Sequence, residues 1–368
     1  MKHVFGPVPS RRLGRSLGVD LVPLKVCSYD CIYCQLGRTT RKTVERKEWV
    51  PMDAVLDELK RKLACRPDYI TLSGSGEPTL HSGLGEIIEH IQAMTAVPVA
   101  VLTNGSLLWQ PEVRAELAQA DVVMPSLDAG DDLLFQAVNR PHPEITFEKL
   151  VSGLEQFRRE FSGQYWLEVL LLAGHTGLPD HVRKIAELVR RIQPDRVQLN
   201  TASRPPAEEF AAPVPQARLT ELARLFRPKA EAIAEYRRRG KRVATDASQQ
   251  AVLELLRRRP CTEDDVAGGL ALRPVEAAKH LAQLEAAGRV VSQRHEGQVY
   301  YQLARRAVAK DAASGTGNSS GRRGSIESAQ LGHKLPCRRL ANNGLKPRIQ
   351  RKRKNYESFN LATERRIV

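Results

Sequence analysis

Three cysteines lie within eight residues near the start of the chain, in Cys27-Ser-Tyr-Asp-Cys31-Ile-Tyr-Cys34. Thiolates are soft ligands that suit iron–sulfur clusters and zinc. Four cysteines would saturate the irons of a [4Fe-4S] cubane, whereas three leave one iron open to a small molecule. Zinc normally takes a fourth protein ligand, and no second Cys or His pair is spaced to supply one. The spacing therefore favours an iron–sulfur cluster on Cys27, Cys31 and Cys34, with zinc as the alternative.

Three more motifs follow predicted strands, at the end of the strand where active sites of parallel barrels collect. They are Ser73-Gly-Ser75-Gly76-Glu77-Pro78, Thr103-Asn104-Gly105 and Ser126-Leu-Asp128. Glycines allow the backbone to approach a ligand closely. Each motif alone could be an ordinary turn, but their order and placement behind the cysteines predict one shared site.

Strands and helices must alternate over residues 1 to 240 to place these motifs together. Short apolar runs predict six strands, and helical periodicity between them predicts helices such as Gly83–Met94 and His181–Ile192. Alternation of this kind indicates a parallel sheet, and six units suit an α/β partial (β/α)6 TIM-like barrel, with a doubly wound sheet as the alternative. A further helix is predicted from Leu219 to about Arg239. The six strands are Ser16–Leu21, Tyr69–Ser73, Val97–Thr103, Val122–Leu127, Trp166–Leu172 and Arg196–Asn200.

Two different segments follow the predicted barrel. Residues 246 to 305 show three helical patterns and a hairpin, which resemble a winged-helix domain. Residues 310 to 368 are rich in Ser, Gly, Arg, Lys and Asn, so they are predicted to be a disordered basic tail. Of the net charge of +15, the tail carries +10 and the segment from 246 to 305 is neutral. A neutral segment argues against sequence-specific DNA binding, because such binding needs basic side chains facing phosphates.

The remaining cysteines, Cys65, Cys261 and Cys337, are isolated, which disfavours a disulfide framework. The sequence contains no run of eighteen apolar residues, so no membrane span is expected. The N-terminus lacks the apolar stretch of a signal peptide. We therefore expect a cytoplasmic protein with reduced thiols and no membrane partner.

Together the motifs resemble those of the radical S-adenosylmethionine (SAM) superfamily, in which an aromatic residue, here Tyr33, precedes the third cysteine. The resemblance implies a [4Fe-4S] cluster on the three cysteines and SAM on the open iron. It implies reductive cleavage of SAM to a 5′-deoxyadenosyl radical, with an electron from a reduced flavodoxin or ferredoxin. No catalytic residue can be assigned. The residues implied to bind SAM are Tyr33, Ser75, Gly76, Glu77, Thr103, Asn104, Gly105, Ser126 and Asp128.

Three segments are more specific: Phe5–Gly18, Cys34–Thr40 and Val138–Pro143. They resemble a bacterial and archaeal group related to wyosine-synthesising tRNA enzymes, over residues 3 to 240. Those enzymes hold a second cluster with cysteines ahead of the radical motif, and no cysteine precedes Cys27 here. A tRNA or other RNA is therefore a candidate substrate. A small-molecule or protein substrate is one alternative, and an iron–sulfur transcriptional regulator that works through the winged helix is another.

Several neighbouring residues have less specific expectations. Lys25 is expected to be solvated, and the loop at Asn139–His142 could line the site. Arg11, Arg12 and Arg15 could bind a phosphate or form a surface cluster. Every cofactor motif precedes residue 205, so the winged helix is expected to affect substrate delivery at most.

Overall fold

The computed structural model describes residues 3–10, 12–233, 248–270 and 272–304. The predicted tail at 310–368, Arg11, Cys337 and the end of the helix predicted from Leu219 lie outside the described residues. Within the described ranges, no helix is long and apolar enough to cross a membrane.

The strands of the described residues are β1 (Val4–Ser10), β2 (Gly14–Val19), β3 (Val26–Cys27), β4 (Arg41–Lys42), β5 (Tyr69–Leu72), β6 (Val99–Thr103), β7 (Val122–Pro125), β8 (Gln164–Leu171), β9 (Arg196–Thr201), β10 (Glu231–Ala232), β11 (Val290–His295) and β12 (Gln298–Leu303). The α-helices are α1 (Met52–Lys62), α2 (Leu84–Met94), α3 (Pro111–Leu117), α4 (Asp132–Asn139), α5 (Phe147–Glu160), α6 (Pro179–Ile192), α7 (Gln216–Leu222), α8 (Gln249–Leu256), α9 (Glu263–Gly269) and α10 (Pro274–Ala286).

One sheet organises the fold, with the strand order β1-β2-β5-β6-β7-β8-β9-β10. Strand β1 is antiparallel to β2, and every other neighbouring pair in this sheet is parallel. A doubly wound sheet would reverse its order at a switch point, whereas here the order increases steadily. The α/β class and the mostly parallel sheet are confirmed, and the arrangement is consistent with a partial barrel.

Alternating burial along the strands explains how the sheet is covered. In β8, Leu167 and Val169 belong to the main core, whereas Trp166 faces a separate cluster with Met124 and Val122. Strands buried on both faces are apolar throughout, as in parallel sheets generally. Burying one such side chain stabilises the fold by roughly 1.5–3 kcal/mol. The helices present apolar stripes to the main core, on the face of the sheet that carries Leu167 and Val169. The stripe of α6 consists of Val182, Ile185, Ala186, Leu188, Val189 and Ile192.

All six predicted strands are present, with bounds that differ by a few residues, but two other predictions fail. The helix expected from Leu219 to about Arg239 ends at Leu222. The chain is already extended at Phe226, two residues before Pro228. Proline disfavours helix in the residues before it. The proline-rich segment at 204–216 predicts the end of the barrel pattern, but the sheet continues beyond it, since β10 pairs in parallel with β9.

Residues 248–304 contain the three helices and the antiparallel β11–β12 hairpin expected there. They enclose a small core of their own that includes Val252, Leu256, Val266 and Leu281. The described residues nevertheless all belong to one compact unit. The boundary near residue 246 and the winged-helix assignment therefore stay predictions.

Candidate functional site

The three cysteines lie on a loop whose two ends are joined. Strands β3 and β4 pair in parallel, so that Cys27 lies opposite Lys42 at the base of the loop. Inside the loop, the Asp30 carboxylate accepts from the Thr39 amide at 2.6 Å. The three thiols are free of disulfides and half-buried. A loop closed in this way holds the thiols on one short and ordered segment.

Each of the three sulfurs has a nitrogen donor from elsewhere in the chain. Asn104 Nδ2 lies 3.7 Å from Cys27 Sγ, and Asn139 Nδ2 lies 3.6 Å from Cys31 Sγ. Lys25 Nζ lies 3.1 Å from Cys34 Sγ. The expectation that Lys25 is solvated is wrong, since it is 5% exposed. Its positive φ and the bond from its amide to Ser75 O turn the residue inwards. Three donors aimed at sulfur suit thiolates better than thiols.

Without a metal, the thiols of Cys27 and Cys31 would stay protonated at neutral pH. Burial raises the pKa of Cys27 to about 12, and the nearby Glu77 carboxylate adds to the rise. Burial likewise raises the pKa of Cys31 well above its ordinary value. Metal coordination deprotonates a thiol outright. The donors around the sulfurs therefore fit ligand thiolates and have little purpose around neutral thiols.

Glu77 connects two of the strand-end motifs. Its Oε1 accepts from the hydroxyls of Thr79 at 2.7 Å and Thr103 at 2.6 Å. Its Oε2 accepts from the backbone N–H of Asn104 at 2.7 Å. Burial raises the pKa of Glu77, while these hydrogen bonds lower it. The carboxylate is directed into the protein, so Glu77 and Thr103 position the turn that carries Asn104.

Gly76 lies against the strand that ends at Cys27. A Cβ at Gly76 would lie 1.9 Å from Val26 O and 2.9 Å from Val22 Cγ2. Val26 O also accepts from the Glu77 amide at 3.2 Å. Contact with β3 therefore requires glycine at this position, whether or not a ligand also approaches the backbone here.

Asp128, Tyr33 and Asn139 form a second polar group beside the cysteines. Asp128 accepts from the Tyr33 hydroxyl, from Asn139 Nδ2 at 2.9 Å and from the Leu170 amide at 2.9 Å. Burial raises the pKa of Asp128 to about 6 despite these bonds. Asn139 Oδ1 is buried and has no hydrogen-bond partner among the described residues.

The sequence-predicted residues thus come together at one end of the sheet but differ in exposure. Buried members are Ser75, Glu77, Thr103, Gly105 and Asp128, and half-buried members are Tyr33, Gly76, Asn104 and Ser126. Sequence reasoning missed the contact of Asn139 with Cys31, although the motif at 138–143 marked its loop. It also gave Arg12 no partner, whereas Arg12 pairs with Glu168 of β8 at 2.5 Å.

Comparison with known proteins places the chain in a family. The Radical SAM superfamily profile matches residues 21–189. A UPF0026 protein of Methanocaldococcus jannaschii is 35% identical over 230 residues, which are 61% of this chain and 71% of that protein. The chain belongs to the radical SAM superfamily. Within it, the chain is similar to UPF0026 proteins.

Two other relatives match over less of their length. A protein named GTPase Obg from Brachyspira hyodysenteriae is 48% identical over 212 residues, 57% of this chain but 31% of that protein. A GTP 3′,8-cyclase of Mannheimia succiniciproducens is 26% identical over 132 residues, 36% of this chain and 38% of that protein. The chain therefore spans less than half of either protein.

The radical SAM superfamily uses a [4Fe-4S] cluster and SAM, and the residues present fit both. One loop offers three thiols, each with a nitrogen donor, and Asn139 Oδ1 beside them lacks a partner among the described residues. In that part of the chain, no three His, Cys, Asp or Glu side chains converge on a single metal ion. A cubane takes its thiolates on separate irons, so its ligands need not converge.

Proposed function

We propose that this radical SAM protein is an enzyme in which Cys27, Cys31 and Cys34 hold the [4Fe-4S] cluster. The observation that carries the proposal is the donor at each sulfur: Lys25 lies just ahead of the cysteines, and Asn104 and Asn139 come from two distant segments. A regulator that only binds a cluster would need the cysteines but not the strand-end motifs packed around them. Those motifs favour an enzyme.

When bound, the cluster supplies one electron to the sulfonium of SAM, which gives methionine and a 5′-deoxyadenosyl radical that abstracts hydrogen from carbon. The protein contributes ligands, orientation and shielding. Lys25, Asn104 and Asn139 direct positive charge or N–H dipoles at the sulfurs, and such contacts tune the reduction potential of clusters. Cys27, Cys31 and Cys34 would hold three irons of the cluster and leave the fourth open to SAM.

The SAM contacts divide into two groups by exposure. We assign direct contact to the backbone at Ser75 and Gly76 and to the half-buried side chains of Tyr33, Asn104 and Ser126. Glu77, Thr103, Gly105 and Asp128 are buried and act by positioning the others. Glu77 does so through the Asn104 amide, and Asp128 through the Tyr33 hydroxyl.

The substrate we propose is a base in tRNA or another RNA. The supporting observation is the resemblance of Phe5–Gly18 and Val138–Pro143 to the relatives of wyosine-synthesising enzymes. Residues 248–304 would be a winged helix that contacts the substrate without reading DNA sequence. The electron would come from a flavodoxin or ferredoxin. A free purine nucleotide is the second candidate, because one relative is named for a reaction of GTP.

Anaerobic reconstitution tests the cluster and the chemistry together. The protein should bind about four irons and four sulfides per chain, and with a strong reductant it should release 5′-deoxyadenosine from SAM. Cys27→Ala, Cys31→Ala and Cys34→Ala should abolish both results. Cys65→Ala is the matched control, because Cys65 lies outside the loop and should leave both unchanged. Stoichiometric zinc without sulfide, or well-loaded protein that forms no 5′-deoxyadenosine, would refute the proposal.

The substrate is tested by nucleoside mass spectrometry of tRNA from cells with and without the gene. A modified nucleoside that disappears with the gene, and returns with the wild-type chain but not with Cys31→Ala, identifies RNA as the substrate. If the tRNA nucleosides are unchanged while purified protein consumes a guanine nucleotide, the second candidate replaces the first.

A further inference from the structure

A buried ion pair connects the C-terminal segment to the loop proposed to bind SAM. Arg258 follows α8, and its Nε and Nη2 each lie 3.0 Å from Asp20 Oδ2. The two side chains are only 9% and 8% exposed. Asp20 directly follows β2, 238 positions earlier in the chain. This pair is therefore a long-range contact inside the fold, and it lies outside every motif that suggested the function.

The other oxygen of Asp20 holds residues 73–77, the SAM loop. Asp20 Oδ1 accepts from the Ser75 amide at 2.8 Å. The next residue back, Gly74, has φ +123°, and a Cβ there would lie 2.1 Å from the same oxygen. The loop thus approaches the carboxylate as closely as glycine permits. Because one carboxylate binds both Arg258 and the Ser75 amide, a change in one contact affects the other.

Arg258 is itself held firmly in place. Its guanidinium lies 4.2 Å from the centre of the Phe5 ring, within the range of a cation–π contact, and its Nη1 donates to Glu254 O at 2.8 Å. The Phe5 ring lies directly on Gly18 of β2, where a Cβ would come within 2.1 Å of it. A planar guanidinium that is held on two sides positions a carboxylate better than the flexible ammonium of a lysine does.

The C-terminal segment touches the sheet at both ends. Near one edge, α8 and α9 contact β1 and pack on Val8. Beyond β9, the Tyr300 hydroxyl donates to Ser203 O at 2.9 Å, and Arg204 pairs with Asp265 at 3.1 Å. Residues 248–304 are therefore docked on the barrel by several contacts, and Arg258 contributes the one to Asp20, the carboxylate that is bonded to the SAM loop.

We propose that Arg258 is a positioning residue for SAM binding: it fixes the Asp20 carboxylate, which fixes the Ser75 amide, so that the SAM loop is ordered only while residues 248–304 are docked. This inference rests on the proposed function, because that function makes residues 73–77 the SAM loop. It differs from the sequence-based expectation that this end of the chain affects substrate delivery at most.

The test compares two variants of the same interface in the full-length, cluster-loaded protein. Arg258→Met keeps the length of the stem and removes the contact to Asp20. Arg204→Met is the matched control, because Arg204 also joins the barrel to the C-terminal segment, but its hydrogen bonds go to Pro260 O and Asp265 and not to Asp20 or residues 73–77. Hydrogen exchange by mass spectrometry reports on the peptide that contains Ser75, calorimetry gives the SAM dissociation constant, and thermal unfolding gives the stability of each variant.

In Arg258→Met we expect faster exchange at Ser75 and a SAM dissociation constant raised roughly five- to hundredfold, the usual range of coupling between sites. Arg204→Met should lose thermal stability without either change. Arg258→Lys keeps one charge near Asp20 and should give an intermediate result. If Arg258→Met does not fold, Arg258→Lys compared with Arg204→Lys decides by the same readouts.

Equal exchange at Ser75 in Arg258→Met and wild type would overturn the proposal. So would an equal rise in Arg204→Met, which would mean that any loosening of the interface has this effect. If the loaded wild-type protein binds no SAM, the proposed function fails. The exchange measurement still decides whether Arg258 orders the loop, so the two failures can be told apart.

Discussion

Replacing Gly76 by alanine should displace the strand that carries Cys27. The added Cβ would lie 1.9 Å from Val26 O, and real Cβ atoms essentially never approach another heavy atom closer than 3.0 Å. Val26 O must therefore move by about 1.1 Å, the difference between the two distances. The added Cβ cannot move away towards Val22, because Val22 Cγ2 would already lie 2.9 Å from it. Because the clashing atom is backbone, no rotation of a side chain relieves it.

The displacement acts on the residue before Cys27 and on the hydrogen bond from the Glu77 amide to Val26 O. Overpacking of this kind typically costs about 1–3 kcal/mol of stability, which a chain of this size can tolerate. A misplacement of about 1 Å in an active site can cost on the order of a hundredfold in rate. We therefore expect a folded protein with reduced iron content and a rate of 5′-deoxyadenosine formation lower by about that factor.

Iron and sulfide per chain, 5′-deoxyadenosine formation and chemical unfolding should be measured on the same preparation. Gly85→Ala, in α2, is the matched control. The three atoms nearest to a Cβ there belong to the side chains of Glu116 and Gln119, at 3.1 Å or more, and alanine favours helix over glycine by about 1 kcal/mol. Normal iron content and an unchanged rate in Gly76→Ala would refute the reasoning, since they would show that β3 does not hold Cys27 at this spacing.

Three further predictions concern the surroundings of the cysteines. Lys25→Met removes the ammonium 3.1 Å from Cys34 Sγ, so the midpoint potential in an EPR-monitored titration should fall by roughly 59 mV for each tenfold loss of preference for the reduced cluster; an unchanged potential would contradict the contact. Asn139→Leu removes the donor to Cys31 Sγ and to Asp128, and should also lower the potential while iron still binds. Asp131→Ala removes the N-cap of α4, the helix that ends at Asn139, and should cost about 1 kcal/mol in denaturant unfolding at neutral pH. The hydrogen bond from Lys184 lowers the pKa of Asp131, so the cap stabilises the protein fully above the ordinary pKa of about 3.9 and its effect fades as the pH falls through the lowered pKa. A difference between wild type and variant that persists in strong acid would contradict this assignment.

The features that the sequence predicted are local ones. A buried parallel strand is a short apolar run, and a motif that follows it must lie at the end of the sheet. The cysteine loop and all six predicted strands could be predicted from the sequence for this reason. Strand β1 was missed because its segment, Val4–Ser10, contains two prolines, and proline is tolerated in a sheet only at edges and bulges. The antiparallel edge of the sheet is where this segment lies.

The features that the sequence could not predict depend on residues far apart in the chain. Asn104 and Asn139 reach sulfurs 77 and 108 positions away, and no local pattern specifies such a pairing. Lys25 was misassigned because an isolated lysine beside a loop is normally solvated. Its burial follows from a backbone bond to Ser75 O, a residue fifty positions later. The chemistry of the cluster was thus predictable, and its electrostatic surroundings were not.

The ion pair between Asp20 and Arg258 also determines which perturbation of the C-terminal segment is informative. Removing one partner of a buried pair leaves the other charge buried and uncompensated, which is strongly destabilising. Burial already raises the pKa of Asp20, and the charge of Arg258 lowers it. Deleting residues 248–304 would remove Arg258 but would also expose Asp20 to water, which solvates its charge. Both changes should therefore release the Ser75 amide, but only the substitution leaves Asp20 buried without its cation, so only the substitution tests the ion pair without exposing the carboxylate to water.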